Sequence, residues 1–164
     1  MILPRVKEIK NGNKWFNGSL IFPKSLDGEN ALNLLNLFLP NLKTLSDNNS
    51  NVILNTVVFN NKGEYKLSIK ENEIVITYSN YEGLRNAIAT LSGLEVCGKF
   101  KCAEIFDYPD NDFRSCLLDL ARGYVEIDDL KEHLVRLAKL KFNVAHLHLM
   151  DRQSYILKSD VVPN

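Results

Sequence analysis

Two charged residues, Arg122 and Asp151, each follow an apolar segment in the C-terminal part of the sequence, where the two segments end in DLAR and HLHLMD. The pattern predicts a strand over 116–121, a helix beginning near Asp128 and a second strand over 142–150. In parallel α/β folds the carboxyl ends of the strands meet at the ligand-binding edge of the sheet. Both charges are therefore predicted to lie at a binding site.

The residue types at this edge allow several kinds of contact. The guanidinium of Arg122 is a planar fork of N–H donors that suits neighbouring hydroxyls of a sugar or a carboxylate, and the alternative is a structural ion pair with Asp119 or Asp151. Asp119 lies within the predicted strand and is interpreted as a satisfied core carboxylate, because an unpaired one is costly to bury. Asp151 can accept hydrogen bonds from a substrate, hold another side chain or cap the strand end. Tyr155 can pack against a sugar ring or beneath a loop.

The sequence gives little indication of a metal site or of a phosphate-binding loop. His146 and His148 share one face of a strand and could chelate a metal, but without a third ligand they are predicted to be hydrogen-bonded core histidines. Cys97, Cys102 and Cys116 complete no zinc pattern and are predicted to be reduced structural thiols. The sequence contains neither GxGxxG nor GxxxxGK[ST], so neither a metal nor a cofactor is predicted.

The charge balance limits the classes of partner. The 164 residues carry 20 Lys+Arg and 20 Asp+Glu, a formal net charge of zero. This balance gives no support to a DNA, RNA or anionic membrane partner.

The N-terminal sequence MILPRVKEIK lacks the apolar core of a secretory signal, and no segment has the length of a membrane span. A cytoplasmic location is predicted, with secretion left open if the sequence has been shortened, and the oligomeric state is not predicted.

Residues 1–110 are predicted to form an α+β domain of mixed strands and two helices. Asn11-Gly12 is predicted to be a turn, and the Pro-containing segment 105–112 is interpreted as a polar boundary. The hairpin expected in this domain is antiparallel, because apolar residues alternate on both sides of a short polar stretch. The predicted elements are helices over 31–39 and 82–94 and strands over 20–22, 52–59, 65–69 and 74–78.

Three segments together resemble glycoside hydrolase family 20, the β-N-acetylhexosaminidases. DLAR at 119–122 and KFNVAHLHLMDRQSY at 141–155 are similar to that family's D-x-[SA]-R-H and K-x-N-x-x-H-x-H-x-x-D motifs, and residues 63–91 are similar to the domain that precedes its barrel. The resemblance implies an α/β chain: a small mixed-sheet domain over 1–110, then the first βαβ unit of a TIM (β/α)8 barrel over 111–164. About 50 residues cannot close a barrel of roughly 250, so the chain is expected to be truncated.

The same resemblance implies an activity for the full-length protein. It would release terminal N-acetylhexosamine from β-linked glycans by retaining hydrolysis in which the substrate's own acetamido oxygen is the nucleophile. Arg122 and Asp151 would line the sugar pocket, and the carbohydrate would be the partner. The family's Asp-Glu acid/base pair is absent from this sequence. No catalytic residue is therefore predicted within the chain, and the chain alone is expected to be inactive.

Two departures from the family motifs keep another function open. Gly123 stands where the family usually has His, and Arg152 where a second Asp is common. A non-catalytic carbohydrate-binding or interaction protein derived from the family is the alternative. A self-contained α/β domain with an incidental likeness to the barrel is the third interpretation.

Overall fold

The computed structural model describes residues 4–152 and 154–157 and divides them into two units. The first unit comprises residues 4–112 together with 139–141, and the second comprises the other described residues from 113 onwards. Within the described residues, three helices and a mixed sheet make an α/β chain, and the strands close no barrel. No helix in this part of the chain is long and apolar enough to cross a membrane.

The first unit is built on a mixed sheet. Its strands are β1 (Glu8–Trp15), β2 (Leu20–Phe22), β3 (Thr44–Ser46), β4 (Val52–Thr56), β5 (Tyr65–Ile69), β6 (Ile74–Tyr78), β7 (Glu95–Val96) and β8 (Lys99–Asp107). The main sheet has the order β1-β8-β5-β6-β4, with β7 paired to β8. β4 runs parallel to β6 and the other pairs of this sheet are antiparallel, whereas β2 and β3 form a separate parallel pair.

Two capped helices complete the first unit, α1 (Leu26–Phe38) and α2 (Tyr81–Gly93). The side chains of Ser25 and Asn80 accept hydrogen bonds from backbone N–H groups in the first turns, which satisfies donors that have no partner within the helix. α2 packs against β5 and β6, and α1 packs against α2. The largest fully buried side chains are Leu20, Phe22, Leu35, Phe38, Tyr65, Leu67, Ile69, Ile74, Ile76, Leu84, Ile88 and Phe100.

Most of the elements predicted for the first unit are confirmed. β5 and β6 form the expected antiparallel hairpin, and α1 begins at Leu26 rather than residue 31 because Ser25 caps it. One prediction is wrong, because Asn11-Gly12 lies inside β1. β8 extends into the predicted boundary segment as far as Asp107, and this stretch of the first unit ends at Asp112, the last residue of that segment. β1 is an edge strand with mostly exposed side chains, so it carries no apolar alternation that would reveal it.

A buried polar network lies in the first unit. Asp107 and Lys141 are each only 6% exposed, and the Lys141 ammonium donates to Asp107 Oδ2 at 2.7 Å and to the Tyr65 hydroxyl at 2.9 Å. The Tyr65 hydroxyl also donates to Asp107 Oδ2 at 3.0 Å and lies 2.5 Å from the Thr90 hydroxyl. The backbone N–H of Lys7 donates to the other carboxylate oxygen at 3.2 Å. The charges are therefore buried as a pair with further hydrogen bonds, which offsets their desolvation.

Tyr78 provides a test of packing between β6 and α1. Burial, reinforced by the hydrogen bond that its hydroxyl donates to Asp27, raises the pKa of Tyr78 to about 12. The folded state therefore retains this proton more strongly than the unfolded state, and the associated stability, on the order of 2–3 kcal/mol, is present below pH 10 and lost as the pH rises towards 12. The difference in tyrosinate absorbance between wild type and Tyr78→Phe is expected to have its midpoint near pH 12. A midpoint near 10 would contradict the packing, and the exposed Tyr81→Phe variant is the control.

The second unit contains a parallel βαβ arrangement, as predicted. Its elements are β9 (Ser115–Asp119), α3 (Ile127–Lys139), β10 (Val144–His148), β11 (Met150–Asp151) and β12 (Ser154–Tyr155). β9 and β10 are parallel, and Asp119 lies opposite His148. β11 and β12 form a short antiparallel pair. α3 joins the two parallel strands, and Leu137 is its buried residue.

The two parallel strands of the second unit are shorter than the predicted segments, and their side chains are partly or fully exposed. β9 ends at Asp119 and β10 at His148, so neither Arg122 nor Asp151 directly follows its predicted strand. Leu117 is 57% exposed, and no residue of β9 is buried. A parallel strand is buried on both faces only when other elements cover it, and this sheet has two strands among the described residues. The apolar composition of the segments predicts strands correctly but carries no information about what covers them.

Candidate functional site

Arg122 lies between two carboxylates in the second unit. Its Nε is 2.7 Å from Oδ2 of Asp119 and 3.2 Å from Oδ2 of Asp151, and its side chain remains 61% exposed. The structure thus brings together the predicted site residues Arg122 and Asp151 and adds Asp119 to them. A guanidinium has five N–H donors. Because both contacts are at Nε, this exposed side chain has donors left for a ligand.

Asp119 shapes the turn that carries Arg122. Its Oδ1 accepts the backbone N–H groups of Ala121 and Arg122, both at 3.2 Å. The N–H of Leu120 donates to the carbonyl of His148 at 3.0 Å, which extends the pairing of β9 and β10 beyond the end of the strand. Asp119 is paired, as predicted, but it is half-buried rather than a core residue. The sequence signal for its contact with Arg122 is the spacing of three residues between the two.

Asp151, the last residue of β11, is the second carboxylate that contacts Arg122. The backbone N–H of Arg152 donates to Oδ1 at 2.7 Å and, as the largest cause, lowers the pKa of the Asp151 carboxyl. Desolvation, the second-largest effect, opposes this by raising the pKa, and the positive charge of Arg122 and then the contact with His148 lower it further. Asp151 is thus held as a carboxylate that can accept hydrogen bonds.

The histidines do not form the predicted core pair. His146 is exposed, whereas His148 is half-buried with Nε2 at 3.6 Å from Oδ2 of Asp151, just beyond hydrogen-bond distance. Within residues 4–152 and 154–157, no group of three or more His, Cys, Asp or Glu side chains could hold a metal ion. All three cysteines are free.

Tyr155 lies opposite Met150 in the β11–β12 pair and is 44% exposed. Its ring is accessible, so packing against a sugar remains a prediction. Gln153, part of the motif that carries the family resemblance, lies outside the described residues. At Gly123 an added Cβ would meet no atom within 4 Å. The space at this position therefore does not require glycine.

The charges around Arg122 bear on the kind of ligand it can hold. One guanidinium and two carboxylates have a formal sum of −1. A carboxylate ligand would approach two like charges, which is unfavourable in a partly desolvated site. Neutral hydroxyl groups can instead accept from the guanidinium and donate to the carboxylates. The geometry therefore favours a polyol over an anion.

Removal of the Arg122 charge is expected to raise the pKa of Asp151. In Arg122→Gln the Coulombic attraction that favours the carboxylate is lost, while the larger effect of the Arg152 N–H remains, so the pKa rises but stays below its ordinary value. Titration of the side-chain carboxyl carbon by NMR measures the change. Arg136→Gln, which removes an exposed guanidinium paired with Glu132 on α3, is the matched control. An Asp151 pKa that is the same in wild type and Arg122→Gln would contradict the contact.

Comparison with known proteins relates the chain to one enzyme family. Residues 111–164 match the catalytic domain of glycosyl hydrolase family 20. β-Hexosaminidase A of Caenorhabditis briggsae is 31% identical over 106 residues, which cover 61% of this chain and 19% of the relative. This chain is related to the glycoside hydrolase family 20 hexosaminidases and corresponds to a portion of their length. The resemblance noted in its motifs is thus confirmed.

Further relatives and solved structures extend the similarity to the first unit. N,N'-diacetylchitobiase of Vibrio harveyi is 31% identical over 104 residues, 62% of this chain and 12% of that protein. An exo-β-N-acetylglucosaminidase of Vibrio harveyi, solved with N-acetylglucosamine, superposes with a TM-score of 0.87 at 25% identity over 98% of this chain and 27% of that one. A Streptomyces plicatus hexosaminidase has the same fold, with a TM-score of 0.81 at 22% identity over 99% of this chain and 37% of that one. This chain spans well under half the length of each of these proteins.

Proposed function

We propose that this chain supplies part of the sugar pocket of a β-N-acetylhexosaminidase that releases terminal N-acetylhexosamine from β-linked glycans. In this proposal residues 113–157 are the first βαβ unit of a (β/α)8 barrel and its following loop. Residues 4–112 are the small domain that precedes the barrel. The acid/base pair of the substrate-assisted mechanism lies in a part of the enzyme that this sequence does not contain.

The observation that carries the proposal is the contact of one exposed guanidinium with two carboxylates near the carboxyl ends of two parallel strands. Barrel enzymes bind their substrates at this end of the strands. Arg122 donates to sugar hydroxyls and Asp151 accepts from them, while Tyr155 offers an aromatic face to the ring. Support also comes from a Vibrio harveyi relative whose structure holds N-acetylglucosamine.

The first experiment is to extend the reading frame beyond Asn164 and assay the gene product. A frame that continues to an Asp-Glu pair, together with hydrolysis of a chromogenic N-acetyl-β-glucosaminide, is the expected result. The 164-residue chain alone is expected to show no turnover. Robust hydrolysis by the chain alone would contradict the assignment of the acid/base pair to a later part of the enzyme.

A stop codon after Asn164 would favour the non-catalytic alternative, a carbohydrate-binding protein derived from the family. Gly123 and Arg152 are the residues that support this alternative, since they depart from the family motif. NMR titration of the chain with N-acetylglucosamine, with glucose as the control lacking the acetamido group, then tests recognition. Signals of the loops that carry Arg122 and Asp151 are expected to shift with the first sugar only.

A further inference from the structure

Asp119 contacts Arg122 in two ways at once. Its Oδ1 accepts the backbone N–H of Arg122 and that of Ala121, so it holds the turn. Its Oδ2 is 2.7 Å from Nε of the same arginine, so it also holds the guanidinium. One carboxylate therefore constrains both the main chain and the far end of a long side chain.

This double contact matters because arginine is otherwise costly to order. Its side chain has about 2 kcal/mol of rotamer entropy, and the guanidinium of Arg122 is mostly exposed. The second carboxylate, Asp151, is farther from Nε, at 3.2 Å, and belongs to another strand. Asp119 is the closer partner and is bound to the backbone of the same turn, so it sets the direction from which the guanidinium meets a ligand.

We propose that Asp119 is a positioning residue that orders the Arg122 guanidinium before a sugar binds. The proposal rests on the function proposed above, in which Arg122 is the residue that contacts the sugar. Preorganisation improves affinity because the ligand no longer has to offset the loss of side-chain freedom. Asp119 acts through Arg122 and is not assigned a contact with the sugar or a role in proton transfer.

Asp119→Asn separates the two functions of the carboxylate. The amide oxygen of asparagine can still accept both backbone N–H groups, so the turn is retained. The amide has no negative charge, however, and the ion pair with Nε is lost. Asp128→Asn is the matched control, because Asp128 is also an acidic partner three residues before its cation, Lys131, at 2.9 Å, but on the exposed surface of α3.

The first readout needs no ligand. The Nε–H signal of Arg122, assigned by its loss in Arg122→Gln, is expected to show slowed exchange with solvent in the wild-type chain at mildly acidic pH. Asp119→Asn is expected to accelerate that exchange while the backbone signals of residues 120–123 change little, and Asp128→Asn is expected to leave both unchanged. An Nε–H that exchanges equally fast in wild type and Asp119→Asn would overturn the proposal.

The second readout is the inhibition constant of N-acetylglucosamine for the gene product that contains this chain. Asp119→Asn is expected to raise it by roughly 10- to 100-fold, the loss typical of a charge-assisted contact. Faster Nε–H exchange with unchanged affinity would overturn a positioning role, as would weaker affinity with unchanged exchange. If Arg122→Gln itself leaves the inhibition constant unchanged, the proposed function fails, whatever the exchange experiment says about Asp119.

Discussion

Lys141→Met is expected to lower the free energy of unfolding by about 3–5 kcal/mol, the cost of removing one partner from a buried ion pair. Methionine fills much of the volume of the lysine stem but leaves the Asp107 carboxylate without its cation at a site where both side chains are less than a tenth exposed. The hydrogen bonds from Lys7 and Tyr65 remain and cannot replace a full positive charge. Urea unfolding followed by circular dichroism measures the change.

Lys131→Met is the matched control for this prediction. Lys131 pairs with Asp128 at 2.9 Å, close to the 2.7 Å of the Lys141–Asp107 pair, but its side chain is 66% exposed. Exposed pairs contribute about 0–1 kcal/mol, so this variant is expected to unfold almost as the wild type does. Equal losses in the two variants would show that burial of the Lys141 pair does not matter.

Two further variants separate charge from backbone conformation. Lys141 has a φ of +64°, in the region that favours glycine, and lies just after α3, where glycine is common. Lys141→Gly relieves this conformation but removes the ammonium, and it is still expected to destabilise the protein because the charge effect is larger. Adding Asp107→Asn to Lys141→Met removes the uncompensated charge and is expected to restore part of the loss.

Under the proposed function, Arg122→Gln is expected to lower kcat/KM for a chromogenic N-acetyl-β-glucosaminide about 100-fold in the full-length enzyme. Glutamine keeps an amide donor but loses the charge and the planar fork that bind hydroxyls. A factor of 100 corresponds to about 2.7 kcal/mol of lost transition-state stabilisation. Steady-state kinetics over a range of substrate concentrations provides the measurement.

Arg122→Lys and Arg136→Gln make this prediction specific. Lysine keeps the positive charge without the fork, so an at least 10-fold loss is expected from Arg122→Lys if geometry matters as much as charge. Arg136 is similarly exposed and paired with Glu132 on α3, outside the proposed pocket, and its replacement is expected to leave kcat/KM unchanged. Full activity of Arg122→Gln would remove the residue from the sugar pocket.

Several helices and strands of this fold could be predicted from local patterns in the sequence. The alternation over β5 and β6, the helical spacing of α2 and the apolar segments around α3 are each properties of neighbouring residues, and all of these elements are present. β1 and most of β8 were missed. β1 is paired on one side only and is mostly exposed, so its own residues need no alternation, and its place in the sheet depends on a partner about 90 residues away.

The same limit applies to the candidate site. The motifs around Arg122 and Asp151 predicted that these residues would be neighbours, because the ends of adjacent parallel strands meet. They did not predict that Asp119 is the closer partner of Arg122, since the direction of a side chain at a strand end depends on the turn that follows. The half-exposed state of both strands could not be predicted either.

The sequence by itself determined the likeness to glycoside hydrolase family 20, the parallel βαβ pattern and the neighbouring positions of Arg122 and Asp151, because these depend on residue type and short spacing. Only the tertiary structure decided which carboxylates share the guanidinium of Arg122 and that Lys141 is buried against Tyr65, a residue 76 positions away. Burial and ion pairing are decided by which distant residues become neighbours, and a local pattern does not carry that information.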